Sequence, residues 1–393
     1  MSKGTILYIG GFELPDKNAA AHRVLSNGKI FRELGYDVVF IGVNKSLNYN
    51  SDILTTKKNV QGFECWSVPY PKANIEWINY LTNIDFIKTI NIRYINIKVI
   101  VAYNYPAFAL YRLKKYCVKH HIKIVADCTE WYSTKGSNAL FKVIKGLDSF
   151  LRMRVIQNKL DGLIVISKYL ENYYKKSNNV VRIPPLVDVN EEKWKTVFEY
   201  QDTVASDDKW RFVYSGSPGK NKDKTNYIID ALYKLKGYHN YKMEIIGLDK
   251  SQFIKYYPEY GVKIKALGNN IDFVGRLSHL DSLIKLKNAD YSIFIRDKTR
   301  LTMAGFPTKF VESVTCSTPV ITNDTSDIKE YFLDSSFGVL LYDSSLDQFT
   351  DILKEIIEKD VHVNKNYSKS NRETFHYKRY EKLMENMLNN IFK

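Results

Sequence analysis

The stretch Val180–Asp188, VVRIPPLVD, punctuates the chain. Its two consecutive prolines hold φ fixed and remove two backbone donors, so no helix and no central strand runs through them. Before it, apolar runs of strand length alternate with segments of helical period. The runs are ILYIGG from Ile6, DVVFIGV from Asp37, KVIVAY from Lys98, KIVAD from Lys123 and GLIVIS from Gly162. The helical segments include AAHRVLSNGKIFRELG (20–35) and AFALYRLKKYCVKHH (107–121). After it the alternation restarts with RFVYSG from Arg211, KMEIIG from Lys242, IDFVG from Ile271, DYSIFI from Asp290, PVITND from Pro319 and GVLLY from Gly338. Apolar strands separated by helices mark a parallel sheet covered on both faces. The expectation is an α/β chain of two tandem Rossmann-like, doubly wound domains, residues 1–188 and 189–368, with an interdomain cleft. Residues 369–393 read as a helix with Phe375, Leu383, Met387 and Ile391 on its apolar side, expected to pack back on the first domain.

With 393 residues, 45% of them apolar, two cores of this size need no staples. The cysteines, Cys65, Cys117, Cys128 and Cys316, show no C-x-x-C spacing, which suggests neither a zinc site nor a disulfide framework and fits a reducing compartment. The opening MSKGTILYIGG leads into a strand without a signal-type apolar core, and no run approaches the roughly 20 apolar residues of a membrane span. The expected location is the cytoplasm, with the inner face of the cell membrane as an option. The net charge of +15 is unevenly held: residues 1–188 carry 27 Lys/Arg against 14 Asp/Glu, residues 189–393 carry 31 against 29. A one-sided field fits a polyanion or an anionic membrane, where each Lys or Arg contributes about 1 kcal/mol within a Debye length. Well-solvated Lys-rich faces are the plainer reading.

Ligands of doubly wound sheets sit at the carboxyl ends of the strands. Three such places carry suitable residues. Gly10–Gly11 follows the first strand, where a glycine lets backbone approach a ligand and a helix start offers N–H groups to an anion. No G-x-G-x-x-G is present, and a tight turn without ligand is the competing reading. In YSGSPGKNKDKTNYIIDAL (214–232), Gly216, Ser217, Lys220, Lys222 and Lys224 converge on a helix start, a phosphate site without the P-loop spacing, or else a solvated basic loop. In AGFPTKFVESVTCSTPVI (304–321), preceded by Arg296 and Arg300, the turn Gly305, Phe306, Pro307, Thr308, Lys309 starts a helix at the same sheet edge. Glu312, about a turn further on, is placed to accept hydrogen bonds from vicinal hydroxyls such as a ribose's; the alternative is a surface glutamate paired with a local arginine.

Together these residues resemble the GT-B glycosyltransferases of the family-4 type, retaining enzymes that use nucleotide sugars. The likeness runs from about residue 5 to the end. It is carried by FVYSGSPGKNKD with IIDAL after it, by IDFVGRLSHLDSLIKLKNADYSIFI, by AGFPTKFVESVTCSTPVITND, and by VISKYL and IPPLVD. The resemblance implies that the second domain binds the donor, that Lys222, with Lys220 beside it, holds the diphosphate, and that Glu312 reads the ribose. The family's usual signature has a second glutamate eight positions before this one; here that residue is Ala304, and Ser317 stands where a glycine is usual. Lys309, Arg296 or the backbone N–H groups of Gly305 to Thr308 are then candidates to bind in its place. Retaining transfer is described as same-face attack in which the leaving phosphate oxygen takes the acceptor proton, so the protein supplies charge stabilisation and orientation.

No Asp-x-Asp occurs in the chain, and lysines with a helix dipole can replace a cation, so neither metal nor cofactor is expected. The donor is a nucleotide sugar, a UDP-sugar being favoured. The acceptor is a saccharide or lipid-linked saccharide of bacterial surface polysaccharide synthesis. Nucleic acid is not expected, because no recognition module is present and the phosphate-site residues lie in the near-neutral half. The alternative is a non-catalytic or epimerase-type sugar-nucleotide-binding GT-B protein.

In the first domain KIVAD runs into CTEWYS. Asp127 or Glu130 could orient an acceptor hydroxyl as the catalytic carboxylate and Trp131 could stack on a sugar; a helix-capping Asp127 and a packed Trp131 compete with this. His22 and Arg23 are candidates for the donor phosphate or the acceptor. In NALFKVIKGLDSFLRMRVIQNKL (138–160), Leu140, Val143, Ile144, Leu147, Phe150, Leu151 and Val155 recur at helical spacing among Lys142, Lys145, Arg152, Arg154 and Lys159. That describes an interfacial helix on an anionic membrane, or a helix packed on the sheet.

Overall fold

The computed structural model describes residues 2–131, 139–177, 179–200, 208–216, 222–360 and 371–393, for 139–142 the backbone alone. The chain divides into two units, Met1–Val187 with Tyr377–Lys393, and Asp188–His376. The expected boundary at 368 falls outside the described residues.

The first unit holds an eight-stranded sheet: β1 (Thr5–Gly10), β2 (Asp37–Asn44), β3 (Lys58–Val60), β4 (Phe63–Pro69), β5 (Ile97–Tyr103), β6 (Lys123–Cys128), β7 (Gly162–Val165) and β8 (Val180–Arg182). Their order is β3-β4-β2-β1-β5-β6-β7-β8. All neighbours pair in parallel except β3 with β4, a hairpin closed by Gln61 (φ 53°) and Gly62 (φ 82°). Two successive positive φ values are those of a type I′ turn, whose twist matches that of the strands it joins. The second unit holds β9 (Trp210–Ser215), β10 (Tyr241–Ile246), β11 (Ile271–Gly275), β12 (Tyr291–Phe294), β13 (Val320–Asn323) and β14 (Gly338–Leu341). Their order, β11-β10-β9-β12-β13-β14, is the doubly wound one, all parallel. Its strand order reverses between β9 and β12, which makes their carboxyl ends the switch point.

The helices that bear on function are α1 (Ala19–Glu33), α2 (Asn74–Thr82), α3 (Ala107–Lys119), α4 (Ala139–Phe150), α5 (Thr225–Lys234), α6 (His279–Asn288), α7 (Thr308–Thr315) and α8 (Glu381–Phe392). In the first unit the sheet separates two cores by strand alternation: Ile6 and Tyr8 face α1 and α8, Leu7 and Ile9 face α3. α8 buries Met384, Met387, Leu388 and Ile391, the i, i+3, i+4, i+7 stripe of an amphipathic helix. Leu383, expected on that stripe, is exposed, and Phe375 belongs to the second unit, 4.8 Å from the Tyr331 ring and 6.0 Å from that of Phe306. The chain is tied into the first unit where it returns: Tyr377 N donates to Val187 O (3.0 Å) and its hydroxyl to Glu33 (3.0 Å). The four cysteines are buried and free, and among the described residues no helix is long and apolar enough to cross a membrane.

Leu388→Ala is expected to destabilise the protein by about 2–5 kcal/mol, the transfer loss plus a cavity. An unchanged urea midpoint would show that α8 contributes nothing to the first core.

Candidate active site

The carboxyl ends of β9 and β12 converge on one buried carboxylate, Asp223. It follows residues 217–221, which lie outside the described residues and include the expected Ser217 and Lys220. Asp223 accepts from Arg296 Nε (2.6 Å), Lys309 Nζ (2.5 Å) and the Tyr214 hydroxyl (2.6 Å). Lys309 also donates to the Tyr214 hydroxyl oxygen (2.9 Å), and its ammonium sits 4.0 Å from the centroid of that ring. Arg296 is placed by its backbone. Its N–H donates to Asn323 Oδ1 (2.9 Å) while Asn323 Nδ2 donates to its carbonyl (2.7 Å), which ties the ends of β12 and β13 together. Gly216 is needed twice over: its φ is +149°, and a Cβ there would lie 2.9 Å from Lys309 Nζ.

Two cations on one carboxylate, all three buried, stand only because each is paired. Burial pulls the Lys309 ammonium down to about 8, with Arg296 pushing the same way and Asp223 opposing. Burial would raise the Asp223 carboxyl, but Lys309 and Arg296 outweigh it and hold it well below the usual carboxylate range. Burial and Asp223 together push the Tyr214 phenol up. Lys309 and Arg296 are thus internal groups, whereas the reading from sequence left them open to the donor. Lys222 is exposed and near enough to repel Lys309, while Lys224 pairs with Asp297 (2.5 Å).

Glu312 projects from α7 three residues after Lys309, on the same helix face. Its Oε1 lies 3.3 Å from Nε2 of His279, the first residue of α6, so its neighbour is a histidine and not the local arginine weighed above. α7 ends in a Schellman motif: Thr318 N donates to Ser313 O (2.9 Å) and Ser317 N to Val314 O (3.0 Å). Ser317 therefore has φ 59°, a conformation that costs a non-glycine residue about 1 kcal/mol, and Arg372 Nε donates to its hydroxyl (3.2 Å). Before α7, Ala304 is fully buried, and Phe306 and Pro307 are buried too. The Phe306 ring packs on Phe310, Tyr331 and Phe375, so it is core and not part of a ligand platform. Gly305 and Thr308 are partly exposed, and the Gly305 carbonyl accepts from Ser326 Oγ (2.5 Å).

In the first unit the expectation for Asp127 and Arg23 needs correction. Asp127 is wholly buried and accepts from Arg23 Nε (2.9 Å) and Nη2 (2.7 Å), from the Tyr8 hydroxyl (2.5 Å) and from Asn27 (3.4 Å). Arg23 Nη1 donates to the carbonyls of Ile183 (2.9 Å) and Pro184 (3.3 Å). Both charges are consumed inside the unit. Trp131 packs edge-on against Tyr173 (5.1 Å) and Tyr169 (6.2 Å), while Glu130 and Gly11 are exposed and His22 half-buried. Asp223, Tyr214, Asn323 and His279 were not singled out by sequence. Asp223 lies inside the run Lys222-Asp223-Lys224, where it reads as one more solvated charge.

Residues 198–374 match the family model described as glycosyl transferases group 1. No curated protein matches the sequence. Among solved structures, sucrose-phosphate synthase from Thermosynechococcus elongatus is similar at 12% identity and a TM-score of 0.70, with 99% of each chain covered. The catalytic domain of starch synthase IV from Arabidopsis thaliana, bound to ADP and acarbose, is similar at 10% identity and 0.70, with 100% of each chain covered. HepE from Anabaena in complex with UDP-glucose is similar at 13% identity and 0.62, covering 98% of this chain and 99% of that one. The fold is the GT-B fold, and the protein is an enzyme that transfers sugars. The matched residues 198–374 span nearly the whole second unit.

Asp223→Asn is expected to cost about 3–5 kcal/mol, because it strands two buried cations, and Lys309→Met in the same chain should return part of it. A carboxyl whose folded pKa is depressed contributes fully above its unfolded value of about 3.9 and loses that contribution as pH falls further. The stability gap between wild type and Asp223→Asn should therefore narrow on acidification below about pH 4. Urea titrations showing a gap independent of pH would contradict the pairing.

Proposed function

We propose that the protein is a retaining glycosyltransferase that moves a sugar from a nucleoside-diphosphate sugar to a saccharide or lipid-linked saccharide of bacterial surface polysaccharide synthesis, at the inner face of the cell membrane. The observation that carries this is the charge excess at the switch point of the second sheet. Arg296 and Lys309 share one carboxylate, with exposed Lys222 beside them. An excess of positive charge partly shielded from water is what a diphosphate leaving group requires, and it supplies stabilisation where negative charge develops.

In this reading Lys222 meets the diphosphate together with Lys220 and Ser217. Lys309 and Arg296 act behind them through their field. Glu312 accepts from the ribose hydroxyls, its carboxylate steadied by His279. The leaving phosphate oxygen takes the proton of the acceptor hydroxyl as the new glycosidic bond forms on the face from which the diphosphate departs. Glu130, exposed beyond β6, is the remaining carboxylate candidate for orienting that hydroxyl, with His22 in the first turn of α1. The diphosphate charge is met by side chains, and we propose no metal or cofactor; UDP is the favoured nucleotide. The binding of UDP-glucose by HepE and of ADP by starch synthase IV supports a nucleotide-sugar donor.

Buried Ala304 favours a second reading, a non-catalytic or epimerase-type protein that binds sugar nucleotides. Turnover of a panel of nucleotide sugars separates the two. Glu312→Ala should weaken UDP binding by about 10- to 100-fold, the loss of hydrogen bonds to a charged acceptor, while 2′,3′-dideoxy-UDP should bind wild type and variant alike. Equal affinity of both proteins for UDP, measured by calorimetry, would remove Glu312 from the site.

A further inference from the structure

α4 is amphipathic with its faces reversed. The polar residues are the ones turned into the first unit: Asp148 accepts from the Ala107 N–H at the start of α3 (2.7 Å), and Arg152, buried just beyond α4, donates to the Asn104 carbonyl (3.4 Å). The apolar residues point outward. Val143, Ile144, Leu147, Phe150, Leu151 and Val155 are 67%, 49%, 56%, 49%, 37% and 37% exposed. Such a stripe normally faces a core, and among the described residues these side chains stay exposed.

Beside it, α3 buries Leu110, Leu113 and Cys117 and turns out Phe108, Tyr111 and Lys115. Arg112 links this helix to α2 by donating to Thr82 O (2.9 Å), and α2 leaves Ile75 and Ile78 exposed. Within the two segments that carry this surface the outward charge has one sign. Residues 107–126 contain no acidic residue, and the single acid of 139–160 is inward-turned Asp148. Lys115, with Lys114 and Lys159, pulls the exposed Tyr111 phenol below its ordinary value, which brings lysines of both segments to one patch. Arg154 lies over the Phe150 ring (5.2 Å).

From this geometry we infer that α4 with residues 151–156, and the outer face of α3, form a docking surface for an anionic lipid bilayer. A nucleic acid or other soluble polyanion would meet the lysines but leave the apolar stripe in water. A bilayer interface takes both, aliphatic and aromatic side chains entering the acyl boundary while Lys and Arg meet the headgroup phosphates. The inference rests on the proposed lipid-linked acceptor only for its purpose; the docking stands on the surface itself.

The test is flotation of the full chain with vesicles of phosphatidylcholine alone and of phosphatidylcholine with phosphatidylglycerol, at low and physiological salt. The protein should float with the anionic vesicles, more at low salt, and the double variant Leu147→Asp/Phe150→Asp should reduce the bound fraction about tenfold or more. Both positions are exposed, so folding should be unaffected, and UDP binding by the same preparations provides the check. Failure to float at either salt overturns the inference, as does flotation that the variant leaves unchanged, or a wild-type dimer that the variant dissolves. Loss of UDP binding with intact flotation would instead overturn the proposed function.

Discussion

The carboxylate of Asp223 ties the start of α7 to the carboxyl ends of the neighbouring strands β9 and β12. It takes the Tyr214 hydroxyl from β9, the Arg296 guanidinium from beyond β12 and the Lys309 ammonium from the first turn of α7. Buried cations that faced each other without it would be expelled or would lose their protons. Because Lys309 is anchored, the first turn of α7 is fixed against β9. Glu312 is one turn further on, so the direction in which it projects follows from the same ion pair. His279 and the Schellman turn at Ser317 fix the other end. The donor-reading carboxylate of the proposed function is thus positioned by a group it never touches.

The two units use the same device with different charge balance. In each, a tyrosine on the first strand of the sheet, Tyr8 on β1 or Tyr214 on β9, donates to a buried aspartate that also takes an arginine. In the first unit Asp127 meets Arg23 alone, so the charges cancel, and the spare donors of Arg23 hold the Ile183 and Pro184 carbonyls of VVRIPPLVD. In the second unit a further cation, Lys309, joins the pair and leaves an excess. The first arrangement closes a domain. The second leaves a field for an anion, which is why position alone misassigned Asp127, at the carboxyl end of β6, and Arg23, in the helix after Gly10–Gly11.

Legibility followed unbroken apolar runs rather than burial alone. The six strands β9 to β14 were all visible as apolar runs, including the edge strands β11 and β14, which are only partly buried. β3, β4 and β8 were not: Phe63–Pro69, FECWSVP, interleaves polar residues near the sheet edge, and β3 and β8 have three residues each. Periodicity likewise showed that α4 has an apolar face but not which way it points, since the same spacing serves a core or a bilayer. For α8, steps of four from Leu383 reach Met387 and Ile391 on the true stripe but start one residue before Met384, where it begins. Asp223 was hidden by composition, and only its burial distinguishes it from its lysine neighbours. The departure at Ser317 was legible, and its cause, a left-handed backbone position, was not.

The charge of the chain and the charge of the site are held apart. The first unit carries most of the surplus on its surface, while its buried ion pair is neutral. The second unit is close to neutral overall, while its buried cluster is cationic. Surface lysines are screened within about 8 Å at physiological salt, so they act only at contact, and there the exposed apolar stripe of α4 adds what screened charge cannot. Buried cations are screened far less, so Arg296 and Lys309 keep their effect on an anion without being numerous. Ala304 fits the same division. Its side chain is wholly buried where the resemblance places a glutamate, so this edge lacks that negative group.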